Sequence, residues 1–170
     1  MQTEQTTILI IWHSRTGAAR QMSQAAEQGM LEAASALDAG RRLRIRRLAA
    51  DEVRADDLLG ADGYVFCAPE NLAGLSGAMK ECFDRNYYTV LDRLNGRPYA
   101  LLISAGTDGT GAARQAERIC TGWRLRPIAP TYIARTHANT TQAILAEKRL
   151  DAPSRERCKE VGGTLAALLL

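Results

Sequence analysis

The 170-residue chain is poor in lysine, histidine and aromatic residues. Only Lys80, Lys148 and Lys159 carry amines, so the basic charge is nearly all arginine. The balance of 22 basic against 19 acidic residues is a net charge of +3, too small for a general nucleic-acid binder. No apolar run approaches the ~20 residues of a membrane span. Met1 to Thr7 are polar and carry no signal-peptide core. The four cysteines, Cys67, Cys82, Cys120 and Cys158, form no Cys-x-x-Cys pair, and only His13 and His137 are available to join them. No metal site is therefore expected. Buried, reduced thiols in a cytoplasmic protein are the expectation. Gly-x-x-x-x-Gly-Lys is missing, as is Gly-x-Gly-x-x-Gly after the first apolar run. A nucleoside-triphosphate loop and the common dinucleotide fingerprint are thus unsupported.

What is present alternates. Hydrophobic residues make up 46% of the chain, enough to bury a full core without disulfide staples. Continuous apolar runs at Ile8–Ile11, Tyr64–Cys67 and Tyr99–Ile103 read as strands covered on both faces. Strands are expected at 7–12, 42–48, 63–68, 98–104 and 125–134. The second alternates apolar with arginine, and the fifth contains Pro127 and Pro130, so both belong at sheet edges. Between the strands, Met22, Ala26, Met30, Ala33 and Leu37 repeat at helical spacing, with Gly40 as a stop. Further helices are expected from Ala78 towards Leu94, over Ala112–Cys120, and over Ser154–Leu170. Val161, Leu165 and Leu168 should face inward on the last, which Gly162-Gly163 weakens by roughly 1 kcal/mol per glycine. No internal repeat or linker divides the chain, so residues 1–170 are expected to form one domain. Strand–helix alternation predicts a doubly wound α/β fold with sheet order 2-1-3-4-5 and helices on both faces.

In such a sheet ligands bind beyond the carboxyl ends of the strands, at the switch point between the first and third. Three loops leave those ends. Ser14-Arg15-Thr16-Gly17-Ala18-Ala19 joins a buried strand to a helix, whose free N–H groups and dipole suit a phosphate monoester. The same hydroxyls also suit plain capping. Pro69-Glu70-Asn71-Leu72 continues through Gly74 and Gly77 towards Lys80. Ser76 is a candidate cap there. Ser104-Ala105-Gly106-Thr107-Asp108-Gly109 precedes Thr110-Gly111, and its glycines let backbone line a flat ligand. Together the loops predict one crevice.

These residues resemble a known family. Ser14-Arg15-Thr16-Gly17 looks like the phosphate loop of flavodoxin-like proteins, Ser/Thr-x-Thr-Gly-x-Thr. Pro69-Glu70-Asn71, Ser76-Gly77-Ala78-Met79-Lys80 and Phe83-Asp84-Arg85 look like the Pro-Glu, Ser-Gly-x-x-Lys and Phe-x-Asp-Arg segments of NAD(P)H-dependent FMN reductases. The resemblance implies a flavodoxin-like three-layer sandwich. It implies an FMN whose phosphate lies at Ser14, Arg15, Thr16, Gly17, Ala18 and Ala19. Pro69, Glu70, Asn71 and Leu72 would lie along one side of the ring, and Ser104, Ala105, Gly106, Thr107, Asp108 and Gly109 would meet its polar edge. The family's last loop threonine is Ala19 here, a lost donor worth roughly 0.5–1.5 kcal/mol.

The implied activity is an oxidoreductase in which NADH or NADPH reduces FMN, and electrons pass to a quinone, a free flavin or another small acceptor. The cofactor carries the chemistry, so no catalytic side chain is nominated. Asp108 and Glu70 read as solvated carboxylates, and His13 as a phosphate contact or a packed strand-end residue. No aromatic residue stands in the second or third loop; Trp12, Tyr87 and Tyr88 are the nearby candidates for ring stacking. The resemblance also implies a homodimer or homotetramer, for which the helix carrying Tyr87, Tyr88 and Val90 offers a surface. The alternative is a non-enzymatic electron carrier, or a binding module with weak or lost FMN affinity. Flavodoxins are strongly acidic, and a +3 chain is a poor match to them. The five arginines of Arg41–Arg47 are expected on an edge strand, away from the three loops.

Overall fold

The computed structural model describes residues 5–170. The reading of Met1–Thr7 therefore lies, for residues 1–4, outside the described residues. Strand β1 (Thr6–Trp12) leads through helix α1 (Ala18–Ala36) to β2 (Leu43–Ala49), then to short helix α2 (Ala55–Leu59) and β3 (Gly63–Asn71). A two-residue strand, β4 (Gly74–Leu75), folds back on β3 before helix α3 (Gly77–Val90). Strand β5 (Pro98–Ala105) and helix α4 (Thr110–Gly122) follow. The chain finishes with β6 (Arg126–Pro127), β7 (Tyr132–Arg135), α5 (Thr141–Leu145) and α6 (Ala152–Leu169).

The main sheet is parallel, in the order β2-β1-β3-β5-β6, with β7 also pairing β5. This is the expected 2-1-3-4-5 arrangement. The expected fifth strand is broken in two, because Pro127 and Pro130 supply no N–H to a ladder. Arg126–Pro127 pair the start of β5 and Tyr132–Arg135 its end.

Alternate residues of the buried strands enter different cores. Leu9, Ile11, Phe66, Leu101 and Ile103 pack on one face with Met79, Phe83 and Trp123. Ile8, Ile10, Val65 and Leu102 pack on the other with Met22, Met30 and Leu165. Phe66 and Phe83 rings lie 4.8 Å apart, and Trp123 meets Phe83 edge-on at 5.1 Å. All four cysteines are buried within these layers. Burial raises every thiol pKa, that of Cys82 to about 11 and of Cys158 to about 12.

Several local expectations are corrected. Helix α1 ends at Ala36, and Asp38 rather than Gly40 takes the left-handed conformation after it (φ +51°). Leu37 is therefore half-exposed. Helix α3 stops at Val90, although Leu94 is fully buried beyond it. Leu168 faces solvent, whereas Val161 and Leu165 are buried. Gly162 does not mark a weak point. A Cβ there would stand 2.1 Å from the Ala26 carbonyl oxygen, and one at Gly29 would stand 1.9 Å from that of Lys159. These glycines let α1 and α6 touch backbone to backbone. The edge arginines are ion-paired as well as exposed. Arg46 binds Asp57 of α2 at 2.6 Å and Arg47 binds Glu27 of α1 at 2.8 Å, so β2 is tied to both helical layers. Arg47 also lies over Trp12 at 6.0 Å, closer to the first loop than expected.

Candidate functional site

The three loops meet at the carboxyl ends of β1, β3 and β5. Ser14, Arg15, Thr16 and Ala18 line one side of a cleft of about 510 Å³. Pro69, Glu70, Asn71 and Leu72 line a second, and Ser104, Ala105, Gly106 and Thr107 a third. The volume falls within the ~300–1,000 Å³ of small-molecule sites. Gly17, Ala19, Asp108 and Gly109 stand outside this lining. Gly17 turns the chain, Ala19 is wholly buried against Ile8 and Met22, and Asp108 is exposed and accepts from the Thr110 hydroxyl at 2.9 Å. Gly109 opens α4 at φ +88°.

The first loop ends at an uncapped helix start. Gly17 sits at φ +101° immediately before α1, and no side chain caps that helix. Ser14 Oγ instead accepts the Gly17 N–H at 3.1 Å, which tightens the turn. The N–H donors of the first helical turn have no intrahelical acceptors and suit a negatively charged group. Ala18 lines the cleft beside them.

Glu70 is not a solvated carboxylate. Its oxygens accept the N–H groups of Gly109 at 2.9 Å and Ala112 at 3.1 Å. It therefore caps α4 across the cleft floor and binds the second loop to the third. Gly111 permits this approach, since a Cβ there would lie 2.0 Å from the Ala73 carbonyl oxygen. Leu72 and Ala73 take left-handed backbone angles (φ +51° and +63°), a strained pairing for side-chain-bearing residues. Leu72 stands fully exposed at the cleft rim.

His13 turns inward. Its Nδ1 lies 3.0 Å from the hydroxyl of buried Ser76. Ser76 occupies the N-cap position of α3 but spends its side chain on His13 rather than on the helix. Burial, then the nearby Arg15 charge, lower the His13 pKa, against a smaller opposing pull from Asp51. Further along α3, Lys80 pairs with Asp84 at 2.7 Å, Phe83 enters the core, and Arg85 donates to the carbonyls of Ala50 and Val53. Residues 80–85 thus hold α3 in place rather than reach into the cleft.

Sequence reasoning missed the roof. Thr136, Ala138, Ile144, Leu145 and Lys148 also line the cleft. The Lys148 N–H donates to the Thr16 carbonyl at 2.7 Å. Gln21 of α1 clasps the same segment, donating to Lys148 O at 2.7 Å and accepting from Leu150 N at 2.9 Å. Gly106 admits the roof, because a Cβ there would lie 2.7 Å from Ala138 O. Thr140, which caps α5 by accepting from Ala143 N at 3.2 Å, was the one available sequence signal. No aromatic residue lines the main cleft. Trp12 lines an adjoining groove, while Tyr87 packs on the core and Tyr88 is exposed.

Comparison with known proteins identifies the family and the fold. The model of the NADPH-dependent FMN reductase family matches residues 49–140, which carry the second and third loops. No curated protein sequence matches the chain. Among solved structures, a flavodoxin from the domain Archaea superposes with a TM-score of 0.74 at 13% identity, covering 96% of this chain and 99% of that one. A WrbA-like flavodoxin protein from Agrobacterium tumefaciens gives 0.72 at 12% identity, covering 96% and 97%. An oxidoreductase from Corynebacterium diphtheriae gives 0.74 at 21% identity, covering 98% and 97%. The fold is flavodoxin-like.

Proposed function

Because the chain belongs to the NADPH-dependent FMN reductase family, we propose that its cleft holds FMN and works as a flavin reductase fed by NADPH or NADH. The observation that carries this reading is the convergence of three loops on one cleft, with an uncapped helix start at one end. The residues present fit the cofactor. Gly17 leaves its turn open for a phosphate, and the glycine-bearing third loop offers backbone to a flat ring.

Ser14, Arg15, Thr16, Gly17, Ala18 and Ala19 would hold the phosphate through backbone donors and hydroxyls. Pro69, Asn71 and Leu72 would flank the ring. Ser104 to Thr107 would meet its polar edge, with Asp108 and Gly109 shaping the loop and Glu70 keeping it in register. When bound, FMN supplies the capacity to take up hydride and pass electrons on. The protein's part is to bind, orient and shield. The roof over Thr16 excludes water from one side, and exposed Leu72 and Leu145 present apolar surface at the mouth. That surface favours a small apolar acceptor such as a quinone or flavin.

A single domain, a homo-oligomeric assembly and a cytoplasmic setting complete the proposal. The four buried thiols support the last. No helix among the described residues is long and apolar enough to cross a membrane. The test is to titrate FMN and then add NADPH without oxygen. Binding followed by bleaching of the flavin absorbance is expected. Failure to bind refutes the flavin site. Binding without bleaching by either nucleotide favours an electron carrier.

A further inference from the structure

The roof of the cleft is a strap, residues 139–149, strung between two buried anchors, Ala138 and Leu150. Between the anchors only Ala143 and Lys148 are even partly covered. Helix α5, within the strap, buries none of its residues. Ile144 and Leu145 line the cleft yet are 53% and 75% exposed. Apolar side chains so placed gain little from closure until a ligand covers them. The strap is bonded mainly to itself. Thr140 caps α5, and Lys148 Nζ donates to the carbonyls of Ile144 and Ala146 at 3.0 and 2.5 Å. A segment with few buried side chains and its own internal bonds lies at the low-stability end of a fold and opens as a unit.

One side chain holds the strap down. The Gln21 amide of α1 uses both its donors and its acceptor there. Nε2 donates to Gly17 O at 3.1 Å and to Lys148 O at 2.7 Å, and Oε1 accepts the Leu150 N–H at 2.9 Å. Beside it the Lys148 N–H reaches Thr16 O at 2.7 Å. Among the described residues the other side-chain link from strap to body is Arg20 to Glu147, 3.9 Å apart and both exposed, which contributes little. Gln21 itself does not line the cleft. Resting on the flavin reading above, we propose that Gln21 is a positioning residue, the latch of a gate through which flavin enters and leaves. Closed, the strap covers Thr16 and lays Ile144 and Leu145 against the bound flavin. Open, it uncovers the first loop. A gate changes entry and exit together, because both pass through the open state. A residue that only shaped the Gly17 turn would change exit without speeding entry.

The test compares the parent chain with Gln21→Met, which keeps side-chain length and helix propensity but removes all three bonds. Thr140→Val, which removes the cap of α5 from the strap itself, is the second variant. Thermal midpoints establish that each is folded. Stopped-flow FMN fluorescence gives the rate constants of association and release. Hydrogen exchange reads the Lys148 and Leu150 amides without flavin. In Gln21→Met both amides should exchange roughly tenfold faster, and FMN should enter faster and leave roughly tenfold faster. Thr140→Val should move both FMN rates the same way by about two- to threefold. Faster release with unchanged or slower entry in Gln21→Met would overturn the inference while leaving the FMN site standing. Unchanged amide exchange would overturn it too. Should Gln21→Met fail to fold, Thr140→Val decides, and unchanged FMN rates there refute the gate. If the parent binds no FMN, the flavin reading fails and the gate with it, whatever the amides show.

Discussion

The carboxylate of Glu70 accepts the backbone N–H of Gly109, 39 residues later, at 2.9 Å. A second bond to Ala112 N at 3.1 Å makes it the cap of α4. One side chain thereby sets the distance between two walls of the cleft.

Glu70→Ala leaves those donors without their partner. It is expected to cost about 1–3 kcal/mol of folding stability and to weaken flavin binding. Glu70→Gln keeps one acceptor oxygen and should recover part of both. Urea unfolding and FMN titration of the two variants check this. Equal affinity in Glu70→Ala and the parent would dissociate the cap from the site.

Gly17→Asp should abolish flavin binding. The φ of +101° disfavours any side chain, by ~1–2 kcal/mol. Space is not the obstacle, because a Cβ would sit 3.5 Å from Gln21 Nε2 and 3.6 Å from Lys148 O. Gly17→Asn carries similar backbone strain without the charge, since asparagine tolerates left-handed angles. A larger affinity loss in Asp than in Asn, by titration, assigns the effect to repulsion of an anion. Retained affinity in Gly17→Asp would put the phosphate elsewhere.

Glycine-to-alanine substitutions should sort by what the new methyl meets. Gly162→Ala drives a Cβ to 2.1 Å from Ala26 O and is expected to destabilise by about 3 kcal/mol or more. Gly163→Ala, 3.2 Å from Gly29 O, should be milder. Gly122 at the end of α4 has open space, so Gly122→Ala should stabilise by about 0.5–1 kcal/mol. Thermal midpoints of the three variants check the order, and a stable Gly162→Ala would contradict the close helix contact.

His13 makes stability pH-dependent with a definite sign. Its folded pKa is lowered from 6.5, chiefly by burial, so the folded state favours the neutral ring. That contribution is fully present above about pH 6.5 and is lost as pH falls through 6.5 towards the folded value. His13→Gln removes the titration while keeping a polar partner for Ser76. The urea midpoint of the parent minus that of the variant should be flat above neutrality and fall below pH 6.5. A difference that grows on acidification would reverse the assignment.

Much of this architecture was legible because strong patterns encode it. Ile8–Ile11 and Tyr64–Cys67 read as strands covered on both faces, and the prolines at 127 and 130 mark an edge. The first loop was visible because Ser14–Gly17 end a buried strand, whereas Pro69–Asn71 and Ser104–Ala105, read as loop residues, in fact continue β3 and β5. The roles of Glu70, Gly29 and Gly162 were not visible. Each depends on a partner more than thirty residues away, and no local rule reports which backbone will arrive there. The roof at Ile144–Lys148 was hidden too, since its polar, irregular stretch looks like any connection until Gln21 is seen to hold it.

That clasp has a consequence for the order of assembly. Gln21 and Leu150 are 129 residues apart, yet their bond helps close the roof over the first loop. A chain synthesised from its N-terminus makes that loop well before the segment that roofs it. On this topology the nascent protein presents an open half-site until residues 144–150 have emerged. The first loop is closed only when Lys148 has reached Thr16.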